Sequence, residues 1–285
     1  MKRAILAGFL FALASAGADL PKRIVSLSPN VTEMLYGIGA FGQVVGISDY
    51  CTYPPAVAKM PSVGGWHNPD LERLTAMHPD LVIVDDGQAP FVESNFKDLG
   101  LRVMTVTGHT VQDVYGAIAA LGQATGHNAE ASKLIAATRE GLLRVSLKTA
   151  NLTKPRVVLI VDRTPGTLRD LYTATDGGFL AEMVEIAGGH VAVPPTKRGY
   201  EKLSKEDLLA INPDWILDFI HGSKGRFAGD AMEAWREMPE LKAVHSGHVH
   251  GVNEDYVPHA SQRMVQTAEL FARILHPESW KSGDR

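Results

Sequence analysis

The sequence holds a single cysteine, Cys51, so no internal disulfide can form. It has no run of Lys and Arg, and its formal net charge of −4 offers no basic face to nucleic acid or an anionic membrane. No apolar stretch, residues 4–14 included, is long enough to cross a bilayer. Catalytic signatures are also missing: there is no Gly-x-Ser-x-Gly, no His-Glu-x-x-His, no Walker loop and no Gly-x-Gly-x-x-Gly. Asp85 and Asp86 are adjacent, but neighbours on a strand point to opposite faces, so they are not read as a working carboxylate pair. An enzyme is not expected.

What is present begins with an address. Met1-Lys2-Arg3 is basic, residues 4–14 are apolar, and Ala14-Ser15-Ala16 and Ala16-Gly17-Ala18 are small-x-small sites. This pattern predicts a secretory signal peptide over 1–18, against the alternative of a buried N-terminal helix. The mature chain then starts near Gly17 or Asp19. With no cysteine at the cleavage site, no lipid anchor is expected, and the periplasm is the expected location.

The rest alternates strand and helix patterns: strands at 23–27, 44–48, 81–84 and 102–106, helices at 32–38, 71–77 and 111–125. Such alternation implies α/β structure with parallel-type sheets. One unit is used twice. Leu71-Glu72-Arg73-Leu74-Thr75-Ala76-Met77-His78-Pro79-Asp80 reappears as Lys205-Glu206-Asp207-Leu208-Leu209-Ala210-Ile211-Asn212-Pro213-Asp214. Glu33-Met34 is matched by Glu182-Met183, and Arg23-Ile24-Val25 by Arg156-Val157-Val158, in the same order. Between the copies, 128–151 lacks Pro, has only Gly141 as a glycine, and carries an apolar stripe. It predicts one helix of about 22 residues, about 33 Å long. The expected organisation is an N-terminal α/β lobe at 19–127, an interlobe helix at 128–152 and a C-terminal α/β lobe at 153–285, with a largely preformed ligand cleft between the lobes.

Strand carboxyl ends are where ligands sit in parallel sheets, which nominates Ser28-Pro29-Asn30, Tyr50, Asp86-Gly87, Thr164, Phe219 and His221. Ser28 and Asn30 also read as simple helix caps. Trp66, in Val63-Gly64-Gly65-Trp66, has no periodic core slot, and its ring suits a planar ligand. Tyr200 and Tyr256 are further aromatic candidates. Cys51 reads as a small buried hydrophobe more than as a thiolate ligand. His248 and His250 share one strand face and raise a zinc-receptor alternative. His67, His109 and His221 are candidates to coordinate the metal of a bound metal chelate or to bond its amide side chains.

Arg23-Ile24-Val25-Ser26-Leu27-Ser28-Pro29-Asn30, Ser48-Asp49-Tyr50-Cys51-Thr52-Tyr53-Pro54-Pro55, Val63-Gly64-Gly65-Trp66 and His78-Pro79-Asp80 together resemble the class III (helical-backbone) periplasmic binding proteins, the cobalamin binders most of all. The resemblance runs from Lys22 to about Pro277. It implies a monomer that carries a corrinoid to a dimeric ABC permease, with haem or a ferric siderophore as the alternative cargo. It also implies that Glu72 and Glu206 dock onto permease arginines, although an acid in a helix's first turn equally serves the helix dipole. Trp66 matches the family's cleft tryptophan, whereas Tyr200 stands where cobalamin binders carry a tryptophan.

Overall fold

The computed structural model describes residues 20–197, 199–219 and 231–280. The expected leader at 1–18 and the candidate His221 lie outside the described residues.

The first half runs β1 (Ile24–Ser26), α1 (Pro29–Gly37), β2 (Val44–Ile47), α2 (Leu71–Ala76), β3 (Leu81–Asp85), α3 (Ala89–Asp98), β4 (Val103–Val106) and α4 (Val111–Thr125). The long helix α5 (Asn128–Thr149) follows. The second half runs β5 (Arg156–Asp162), β6 (Leu171–Ala174), α6 (Phe179–Ile186), β7 (His190–Val191), β8 (Tyr200–Leu203), α7 (Lys205–Ile211) and β9 (Trp215–Phe219). It closes with α8 (Ala231–Trp235), α9 (Lys242–His245), β10 (Val249–Val252) and α10 (Met264–Leu275).

Each half builds its own sheet, giving two α/β lobes. The N-lobe sheet has the order β2-β1-β3-β4, all parallel. In the C-lobe, β7, β5, β9 and β10 pair in parallel in the same order, so the repeat read in the sequence is a repeat of topology. The parallel strands are short continuous apolar runs because both of their faces are covered, as in β1 and β5. One difference breaks the equivalence. Strands β6 and β8 add to the C-lobe sheet antiparallel, so that sheet is mixed.

The match extends to single residues. His78 and Asn212, each before a Pro-Asp pair, both take left-handed φ, at 45° and 42°. Asp80 then accepts from Arg23 N at 3.0 Å, as Asp214 does from Arg156 N at 2.8 Å. The same side-chain bond ties each repeat helix to the start of its lobe's first strand.

Helix α5 is packed along both lobes and is not a free rod. It touches α4 and α1 on one side and α10 and α6 on the other. Gly122 lets α4 approach Ala131 and Gly141 lets α10 approach, with the position of a Cβ at 141 only 2.8 Å from Val265. One apolar core therefore runs from Ile24 and Ile83 through Leu142 and Val145 to Val157 and Leu217. Among the described residues, no helix is long and apolar enough to cross a membrane.

Candidate functional site

A cavity of about 1140 Å³ lies between the lobes, at the carboxyl ends of the parallel strands. That exceeds the space drug-sized ligands commonly occupy.

Trp66 stands on the N-lobe wall. Its loop is pinned beside β2, where Ile47 N donates to Pro61 O and Val63 N to Ile47 O. The buried Gln88 donates from Nε2 to Trp66 O at 2.5 Å. The indole lies over Gly87, where a Cβ would stand 3.4 Å from Trp66 Cη2 and 3.2 Å from Asp85 Oδ1. Edge-on contacts extend the aromatic surface to His67 (centroids 4.6 Å) and from His67 to the exposed Phe91 (4.4 Å).

Beside the indole, Asp85 ends β3. Asn30 Nδ2 donates to it at 2.9 Å and Gly87 N at 3.0 Å. Burial still pushes its carboxyl above the usual range, and the neighbouring Asp86 adds to the rise. On the opposite wall Tyr200 is 48% exposed overall, but desolvation of its phenol in the cleft raises it, and the Asp85 charge, felt across the cleft, raises it further. Asp86 accepts from His109 Nε2 at 2.6 Å.

The floor is where the loops after β4 and β10 meet, Gly108 against Ala260. Two repeat-equivalent glutamates cross between the lobes there. Glu33 of α1 is 1% exposed and accepts from His259 Nδ1 and Arg263 Nη1, both at 2.9 Å, and from Ser261 Oγ. Glu182 of α6 accepts from Val111 N at 2.8 Å, at the start of α4.

Of the residues named from sequence, Ser28, Pro29, Asn30, Tyr50, Trp66, Asp86, Gly87 and Tyr200 line the cavity, as do His67 and His109. Three others do not. Thr164 turns aside to Asp170 Oδ2, Phe219 is buried in the core, and Tyr256 lies beneath the Arg263 guanidinium. Ser28 occupies the N-cap of α1 without a side-chain cap bond. Cys51 is buried, 3.1 Å from Thr32 Oγ1. His248 is stacked on Trp215 at 4.3 Å, and no three His, Cys, Asp or Glu side chains are grouped to hold a metal ion among the described residues. Among the described residues, His248 and His250 therefore have no third donor beside them for the zinc alternative.

Asp85 and Asp86 both line the cleft, contrary to the strand-alternation argument. Asp86 is past the end of β3, in the turn, where alternation no longer applies. Sequence reasoning missed Asp85, Asp162, Phe179, Lys197 and Ala260. Lys197 and Ala260 sit in connections with no periodic pattern to mark them, whereas Asp85 and Asp162 are the last residues of β3 and β5 and Phe179 is the first of α6.

A periodic two-lobed α/β frame around one cleft agrees with comparison to known proteins. A family model described as periplasmic binding protein matches residues 24–256. The chain belongs to the periplasmic binding protein family. Members of this family serve ABC transporters, and two similar proteins, one known by sequence and one by structure, are described in those terms. YvrC of Bacillus subtilis (strain 168), an uncharacterised ABC transporter substrate-binding lipoprotein, is 28% identical over 92% of this chain and 82% of its own length. Its description as a lipoprotein runs against the expectation of an unanchored protein. The vitamin B12-binding protein of Pectobacterium carotovorum is 25% identical over 92% of this chain and 91% of its own length. Among solved structures, the vitamin B12-binding BtuF of Vibrio cholerae superposes with a TM-score of 0.75 at 23% identity, covering 92% of this chain and 99% of that one. The haem-binding BhuT superposes at 0.78 and 22% identity, covering 91% and 99%, so the fold alone does not separate the two cargoes.

Proposed function

We propose that the protein binds a corrinoid in the interlobe cleft and delivers it, in the periplasm, to a dimeric ABC permease. The observation that carries this reading is the cleft itself: a large cavity with Trp66 on one wall and Tyr200 on the other, edged by carboxylates. Aromatic faces suit a macrocycle, and Asp85, Asp86 and Asp162 accept N–H groups of a carboxamide rim. Haem presents carboxylates instead. Against those, Lys197 is the only Lys or Arg among the described lining residues. The relatives described as vitamin B12-binding proteins support the same choice. The protein acts as a monomeric binder and not as a catalyst, with lobes at 19–127 and 153–285 about the helix at 128–152, exported by the leader at 1–18.

Glu72 and Glu206 are the proposed permease contacts. Both are exposed, in the first turns of the equivalent helices α2 and α7. Exposed charges of this kind set orientation and association rate. The Glu72→Arg/Glu206→Arg double variant is expected to keep ligand binding and lose uptake when it is supplied to membranes holding the cognate importer. Undiminished uptake would remove these residues from the docking surface. The cargo is tested by thermal unfolding with cyanocobalamin or haem. Cyanocobalamin at 100 times its Kd should add about 2.7 kcal/mol of stability. A rise in Tm with haem alone would reassign the cargo.

A further inference from the structure

The cleft holds a histidine prepared in the way metal ligands are prepared. His109 lines the cavity, and its side chain is 70% exposed. Its Nε2–H is given to Asp86 Oδ2 at 2.6 Å, which leaves the Nδ1 lone pair unused by that bond. A metal-bound imidazole commonly hands its other ring nitrogen to a carboxylate, which fixes the tautomer and raises basicity. The partner is itself held: Asp86 N donates to Val106 O at 2.8 Å. On the other side of His109, Thr110 forms a capping box with Asp113 and fixes the start of α4.

The number of available donors decides what kind of metal this arrangement can take. A free cation needs three or four protein ligands, and no such group exists among the described residues. A metal already ringed by a macrocycle needs only an axial one. Building on the corrinoid reading above, we infer that His109 Nδ1 is an axial ligand to the cobalt of a cargo whose axial position is held by water. The Co–N bond forms as the Co–O bond to water breaks. Water leaves, cobalt keeps its oxidation state, and the Nε2 proton stays against Asp86.

The other cleft histidines are engaged otherwise. His259 is 16% exposed, and its Nδ1 belongs to the Glu33 and Arg263 network that joins the lobes. His67 stands edge-on between Trp66 and Phe91.

Cobinamide, a corrinoid without its own base, is the probe. Bound as Co(II) and read by electron paramagnetic resonance, it should show cobalt lines split into triplets by one ¹⁴N nucleus, turning to doublets with ¹⁵N-histidine protein. His109→Ala should lose the splitting, and added imidazole should restore it. His245→Ala, on α9, should leave it intact. Asp86→Asn should weaken cobinamide binding about 10-fold. Cobinamide bound without nitrogen splitting, or splitting that survives His109→Ala, would overturn the axial role and leave the corrinoid reading standing. No calorimetric binding of cobinamide or cyanocobalamin would defeat both.

Discussion

At Asp85 the demands of binding and of folding differ. Its carboxyl is half-buried at the end of β3, near Asp86 and His109 and within the electrostatic reach of Tyr200, and desolvation is the main cause of its raised pKa. The folded chain therefore holds this proton more tightly than the unfolded chain does. Its favourable contribution is complete below the unfolded value, near 3.9, and is lost as pH rises through the higher folded one. Asp85→Asn keeps an acceptor for Asn30 and removes the charge. The variant should melt above the parent at pH 7.5, with the gap closing near pH 3.5. A gap that widens in acid would reverse the assigned sign. Trp66→Ala exposes the wall at Gly87 and removes an aromatic face worth about 1.5–3 kcal/mol. Its Kd for cobalamin should rise about 10- to 100-fold with little change in Tm, because the indole contacts the cleft and not the central core. Unchanged affinity would place the ligand elsewhere.

At the scale of elements, α5 and the crossing glutamates hold the lobes together. Alanine exceeds glycine in helix propensity by about 1 kcal/mol, so Gly141→Ala would stabilise an isolated α5. In the protein, a methyl there meets the branched side chain of Val265 on α10. Overpacking of this kind costs about 1–3 kcal/mol, and a lowered Tm is the expected result. Glu33→Ala removes the buried carboxylate shared by Arg263, His259 and Ser261, leaving Arg263 its longer contact to Asp255, and should cost about 3–5 kcal/mol, whereas Glu182→Ala loses one backbone N–H bond, about 1 kcal/mol. Equal losses in chemical denaturation would contradict the assigned difference. The repeat was readable in the sequence because its Pro-Asp corners and first-turn acids recur at fixed spacing. Gly141 was visible as the lone glycine of the long helix, but its partner Val265 is far away in sequence. The β6–β8 addition was not readable: Leu171–Ala174 and Tyr200–Leu203 are short and partly polar, and their pairing partners lie outside any local pattern. For the same reason the C-lobe wall gave only Tyr200, while Thr164 and Phe219 were nominated from position alone.

For the whole molecule, the continuous core along α5 and the floor network of Glu33, His259 and Arg263 predict lobes that move little on binding. Hinged closure would need these contacts to break. A preformed cleft also keeps the ordering cost of binding low. The central claim is that this slot takes a corrinoid, and calorimetric titration of the purified protein with cyanocobalamin, beside a parallel titration with haem, tests it most directly. The account predicts saturation by cobalamin at one equivalent, weakened in Trp66→Ala. Saturation by haem with no heat from cobalamin would contradict it.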